Sequence, residues 1–146
     1  MAPTSGGTPK LLVRIFDTTR NAASSGAVIE AVPVAEALHA NERGALITSS
    51  DPAVSRTNIG VRALGSGATA TLTLCRADGS VAATTSRTYG LNSLLQESVE
   101  ALFGVAPAPS DSVVIEVTSG AAIAYAATVN NTTQELSWYR ATRITP

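Results

Sequence analysis

The chain has 146 residues, ten basic and eleven acidic, for a formal net charge of -1. It therefore lacks the electrostatic footprint that a phosphate backbone or an anionic lipid surface requires. Hydrophobic residues make up 45%, aromatics 4% and charged residues 14%; with many Thr and Ser, this composition suits a pleated extracellular β-domain better than a charge-rich helical one.

The expected organisation is a flexible arm at residues 1–10 followed by one β-sandwich domain at 11–146. The arm, Met1 to Lys10, has no apolar core of a secretory leader, so an exported protein would have shed its leader before this point. No run of about 18 apolar residues is present to form a spanning helix.

Leu11 to Thr18 reads as a strand, Thr19 to Gly26 as a loop, and Ala27 to Val34 as a second strand that Pro33 ends or holds at an edge. Ala35 to Asn41 predicts one or two helical turns and Gly44 to Thr48 a short strand. Ser49 to Pro52 is turn chemistry, with Asp51 as the capping residue. Ser55 to Leu64 predicts a strand stopping at Gly65-Ser66-Gly67.

Ala68 to Arg76 and Val81 to Tyr89 form the clearest hairpin, turned by Ala77-Asp78-Gly79-Ser80 with an expected type I′ geometry. Alternation puts Ala70, Leu72 and Leu74 inward and Thr69, Thr71, Thr73 and Cys75 outward. Leu91 to Phe103 then switches to a helical period, capped by Asn92 or Ser93 and ended by Gly104.

After a connector, Val105 to Asp111, a further hairpin is expected from Ser112 to Thr118 and Ala121 to Val129, turned at Ser119-Gly120. Asn130 to Thr133 is the next turn and Leu136 to Ile144 the last strand. About eight short strands at this spacing, with one short helix, predict a mainly β chain: an antiparallel Ig-like β-sandwich. Val13 to Ala31 also echoes Ile123 to Ala141, each an apolar strand with an aromatic, a polar tip and a second strand ending in Ala, which suggests two equivalent hairpins.

The string Arg56-Thr57-Asn58-Ile59-Gly60, the Ala68 to Tyr89 hairpin, the Leu102-Phe103-Gly104 helix end and the stretch Ala124 to Thr133 resemble bacterial exported Ig-like β-sandwich repeats. These stand beside proteases or adhesins, or in tandem on cell surfaces. The resemblance covers most of Val13 to Ala141 and carries turn and core residues. It implies export to the cell surface or beyond, and a structural, assembly or adhesion role.

Chemistry-bearing residues are sparse. His39 is the only histidine and Cys75 the only cysteine, so neither a histidine metal cage nor an intrachain disulfide is possible. No Gly-x-Ser-x-Gly elbow presents a serine to His39, and Cys75 lies mid-strand without an oxyanion-forming loop. Asp17, Asp51, Asp78 and Asp111 fall at turns without the spacing of a calcium loop. The expected protein is not an enzyme and takes no cofactor or metal.

The remaining candidates are surfaces. Thr69, Thr71 and Thr73, with Thr84 and Thr88, make a flat polar face suited to another protein or a second copy, and open edges or the arm offer further contacts. Trp138 and Arg140, with Tyr89, are the residues a carbohydrate-binding alternative would use, while Phe16, Phe103 and Tyr125 are expected inside.

Overall fold

In the computed structural model, which describes residues 12–15, 27–49 and 51–145, ten strands and one short α-helix occur among the described residues. In chain order they are β1 (Leu12–Ile15), β2 (Ala27–Glu30), β3 (Leu38–His39), β4 (Arg43–Ile47), β5 (Ser55–Cys75), β6 (Val81–Tyr89), β7 (Leu94–Ser98), α1 (Val99–Phe103), β8 (Ser112–Asn130), β9 (Leu136–Arg140) and β10 (Thr142–Ile144). The arm at 1–10, the tip at 19–26, Phe16 and Asp17 lie outside the described residues.

The mainly antiparallel β-sandwich expected from the sequence is what forms, with strands joined and split differently. The two stretches read as strand, break and strand are each continuous. β5 runs through Gly65-Ser66-Gly67 and β8 through Ser119-Gly120, and the two pair antiparallel from Ser55↔Asn130 to Cys75↔Ser112. The glycines therefore bend a strand pair instead of ending it.

At the bend, Ala63 pairs with Ala122 and Ala68 with Gly120, so four residues of β5 stand opposite Ala121 alone. Gly67 and Gly120 both have positive φ, and a Cβ on Gly120 would collide with the Gly67 carbonyl. A bulge bends and twists a sheet, and here it folds one sheet over on itself.

The first layer is β7–β5–β8–β9, using residues 55–63 of β5 and 122–130 of β8. The second is β6–β5–β8–β4–β10, using residues 68–75 and 112–120. β3 pairs with β8 at the bend, and β9 passes to β10 through Ala141, carrying the chain from one layer to the other. β1 and β2 form a separate antiparallel pair, with β2 beside β9.

Between the layers lies one core. Ile59, Val61 and Ala63 of β5 stand opposite Ala126, Ala124 and Ala122 in the first layer. In the second, Ala70, Leu72 and Leu74 stand opposite Val117, Ile115 and Val113, all of them buried. The inward leucines and outward threonines expected in the Asp78-Gly79 hairpin are present. Its turn is not type I′: only Gly79 has positive φ, with Gly79 N–H bonded to the Arg76 carbonyl and Arg76 N–H to the Ser80 carbonyl, the pattern of a three-residue loop ending in an αL glycine.

The helix expected over Leu91 to Phe103 is reduced to its last five residues. Leu94 to Ser98 instead pairs with β5 from Arg62 to Asn58, where sheet hydrogen bonding along an otherwise bare strand outweighs the helical period of the leucines. Ser98 is the N-cap, its Oγ accepting from Ala101 N–H, and Gly104 ends the helix in the left-handed region as expected. Val99 and Leu102 pack α1 against β5, β6 and β7, closing one open side of the sandwich.

Asp111 ties the connector after α1 to the ends of β4 and β5 in the second layer. Its fully buried carboxylate accepts from Arg76 Nη1 and Ala108 N–H, each at 2.7 Å, and its carbonyl accepts from Thr48 N–H and Oγ1. Across the layers, the Tyr139 hydroxyl of β9 donates to the Ile47 carbonyl of β4.

Candidate functional site

The two outer faces of the sandwich separate the residues singled out in the sequence. Thr69, Thr71 and Thr73 lie on the outer face of the second layer, opposite Thr88, Ser86 and Thr84 of β6. One hydroxyl pair, Thr69 and Thr88, is within 3.4 Å. Glu116 continues the row from Thr71 and forms an exposed ion pair with Arg43 at 3.7 Å, a contact worth little in stability. The face is hydroxyl-rich and shallow, and Thr69, Thr71 and Thr73 are each half-buried by their neighbours.

Trp138 and Arg140 lie on the opposite side of the molecule, on the outer face of the first layer. Their neighbour there is Tyr125, which was expected in the core. Tyr125 stands opposite Gly60, and its ring occupies the space a side chain at 60 would fill. The phenol then reaches the next strand and donates to Gln96 Oε1 at 2.8 Å. The Trp138 ring packs against it with centroids 5.4 Å apart and planes tilted by 35°, a favourable aromatic arrangement. Arg140 stands opposite Tyr125 and is bridged at 3.0 Å to Glu36.

Tyr89 is not part of this surface. It is only 6% exposed and belongs to the core, and burial, reinforced by the Glu97 carboxylate, pushes its phenol up to about 12. Burial also raises the phenols of Tyr125 and Tyr139. The alternation Ile123-Ala124-Tyr125-Ala126 carries the signal for an outward tyrosine, because the alanines belong to the inward set.

The other candidates are structural in their contacts. His39 is exposed, its backbone N–H bonded to Glu42 Oε2, and Cys75 is half-buried opposite Val81 and Ser112. Asp51 and Asp78 accept backbone N–H bonds from Ala53 and Ser80 in their turns. The Ser80 hydroxyl and then its N–H hold the Asp78 carboxyl below its usual range. Among the described residues there is no group of three or more His, Cys, Asp and Glu placed to hold a metal, and no helix long and apolar enough to cross a membrane.

Apolar surface also lies on strand edges. Leu94 and Leu95 of β7 are 56% and 44% exposed, and Leu91 just before them is exposed too. Adjacent strand residues point to opposite faces, so β7 is apolar on both. β1 repeats this, with Leu12 and Val13 exposed.

No family model and no curated protein matches this chain. Among solved structures it is similar to that of Thermotoga maritima 1070, at 12% sequence identity and a TM-score of 0.54, over 71% of this chain and 95% of that chain. A likeness at this identity is one of fold, and it places the bent-sheet sandwich among known β architectures.

Proposed function

We propose that this protein is a non-catalytic, exported structural and assembly module of the Ig-like kind that its turn and core residues resemble, contacting other proteins and further copies of itself through its strand edges. The observation that carries this reading is β7, an edge strand with two adjacent exposed leucines and one charged residue, Glu97. Edges of soluble β proteins are ordinarily guarded by lysine, proline or a covering segment, and an apolar, unguarded edge invites strand addition. Sedimentation velocity on the full chain over a wide concentration range tests it. Mass should rise with concentration, and a strict monomer at the highest concentration would overturn self-assembly.

A second reading rests on the Tyr125 and Trp138 rings with Arg140 beside them, a small aromatic platform of the kind pyranose rings stack on. Under it the domain is a carbohydrate-binding accessory module. Glycan binding abolished by Trp138→Ala supports this reading, and an array with no hits removes it.

A further inference from the structure

We propose that the module joins to itself head to tail, β1 of one copy pairing edge to edge with β7 of the next. The proposal rests on the self-assembly reading above and names the two strands that make the joint. In the β1–β2 pair Leu12, Val13 and Val28 are 57%, 46% and 59% exposed, and among the described residues β1 is paired only with β2. A two-stranded ribbon of this size is marginal in water unless a third strand or a packed face supports it.

The hairpin it echoes shows what is missing. In β8–β9 the first strand is paired on both sides, by β9 and by β5, whereas among the described residues β1 is paired on one side only. The two hairpins share their order and differ in register: Glu30 faces Leu12, while Arg140, its counterpart in the echo, faces Tyr125, the counterpart of Ile15.

The other margins suit strand addition less well. β10 has three residues including Arg143, which is engaged with Glu42 and the Ala37 carbonyl. β9 carries Arg140, bridged to Glu36, and has β2 alongside. β6 is dominated by hydroxyls and carries Arg87. β1 and β7 are the apolar pair that is left.

They match in length, four residues against five, and in charge, since β1 holds Arg14 and β7 holds Glu97 as their single charged residues. Within one chain they cannot meet edge to edge, because β5, β8 and β9 of the first layer lie between β7 and the β1–β2 pair. A joint between two different edges is heterologous and leaves one free edge at each end, so it propagates into open chains instead of closing as a two-fold dimer.

Two blocked variants test it, each with lysine placed as natural edges place it: Val13→Lys, and Leu94→Lys with Leu95→Lys. All three positions are exposed, so the fold survives, and circular dichroism checks this. Each variant alone should sediment as a monomer at concentrations where the unaltered chain associates. Mixed in equal amounts they should form a complex that stops at two copies, since one intact β1 and one intact β7 remain to pair.

Association that persists unchanged in either variant, or a mixture that stays monomeric, overturns the β1–β7 joint while leaving assembly through another surface standing. An unaltered chain that is monomeric throughout overturns the joint and the assembly reading together.

Discussion

The two layers are built from the same two strands yet divide the work of the sandwich unequally. The second layer turns Leu72, Leu74, Val113, Ile115 and Val117 inward and hydroxyls outward. The first turns Ala63, Ala122, Ala124 and Ala126 inward, with Ile59 and Val61, packs Tyr139 of β9 against the core, and sets the Tyr125 and Trp138 rings outside. Bulk inside one layer is matched by small side chains facing it from the other, which keeps the interior close-packed. The layer that gives up volume inside is the one that carries a pair of packed aromatic rings outside.

The comparison breaks most sharply in the core. Leu72→Ala in the filled layer should cost about 2 to 5 kcal/mol, because a buried void opens. Ala124→Leu in the thin layer adds volume where none is free and should cost about 1 to 3 kcal/mol through overpacking. Denaturant titration of both checks this, and a neutral Ala124→Leu would show that the small inward face is not a packing requirement.

A smaller effect is expected on the outside. Gly60→Ala places a methyl group where the Tyr125 ring lies, so the ring must leave, losing its bond to Gln96 and its contact with Trp138. With one tryptophan in the chain, emission from Trp138 reports the change directly, and an unaltered spectrum would refute the ring's placement.

The smallest effect is a titration that separates buried from outward phenols. Tyr89, in the core, should ionise near 12, with Tyr125 and Tyr139 also above the ordinary value of 10.0. A raised folded value means that the neutral phenol is favoured in the fold. That contribution is complete below pH 10 and is lost as pH rises from 10 through about 12. Phenolate absorbance followed against pH, with stability measured alongside, checks both the order and the sign.

Much of this fold was legible where a pattern is local. The Ala70, Leu72 and Leu74 alternation places three core residues, and Gly104 ends α1 as its position before the connector suggests. What was hidden depends on partners far along the chain. Gly65-Ser66-Gly67 spells a turn, yet with β8 lying alongside it becomes a bulge. The leucines from 91 to 95 fit a helical stripe until the bare margin of β5 takes Leu94 to Ser98 as a strand. Tyr125 faces outward because Gly60, 65 residues earlier, leaves room for its ring. The two candidate surfaces, Thr69, Thr71 and Thr73 on one and Trp138 and Arg140 on the other, are set on opposite sides of the molecule only by the bend.

The bend also governs how the molecule comes apart. Since β5 and β8 each run through both layers, the central strand pair of one layer is continuous with that of the other. Their ladder begins nearest in sequence at Cys75↔Ser112 and ends at Ser55↔Asn130, so closing the shorter loop first brings the remaining partners into reach. Folding then proceeds as a zipper that rounds a corner, slow for its size because most of its contacts are non-local. Loss of the β5–β8 ladder, by the same geometry, takes both layers with it.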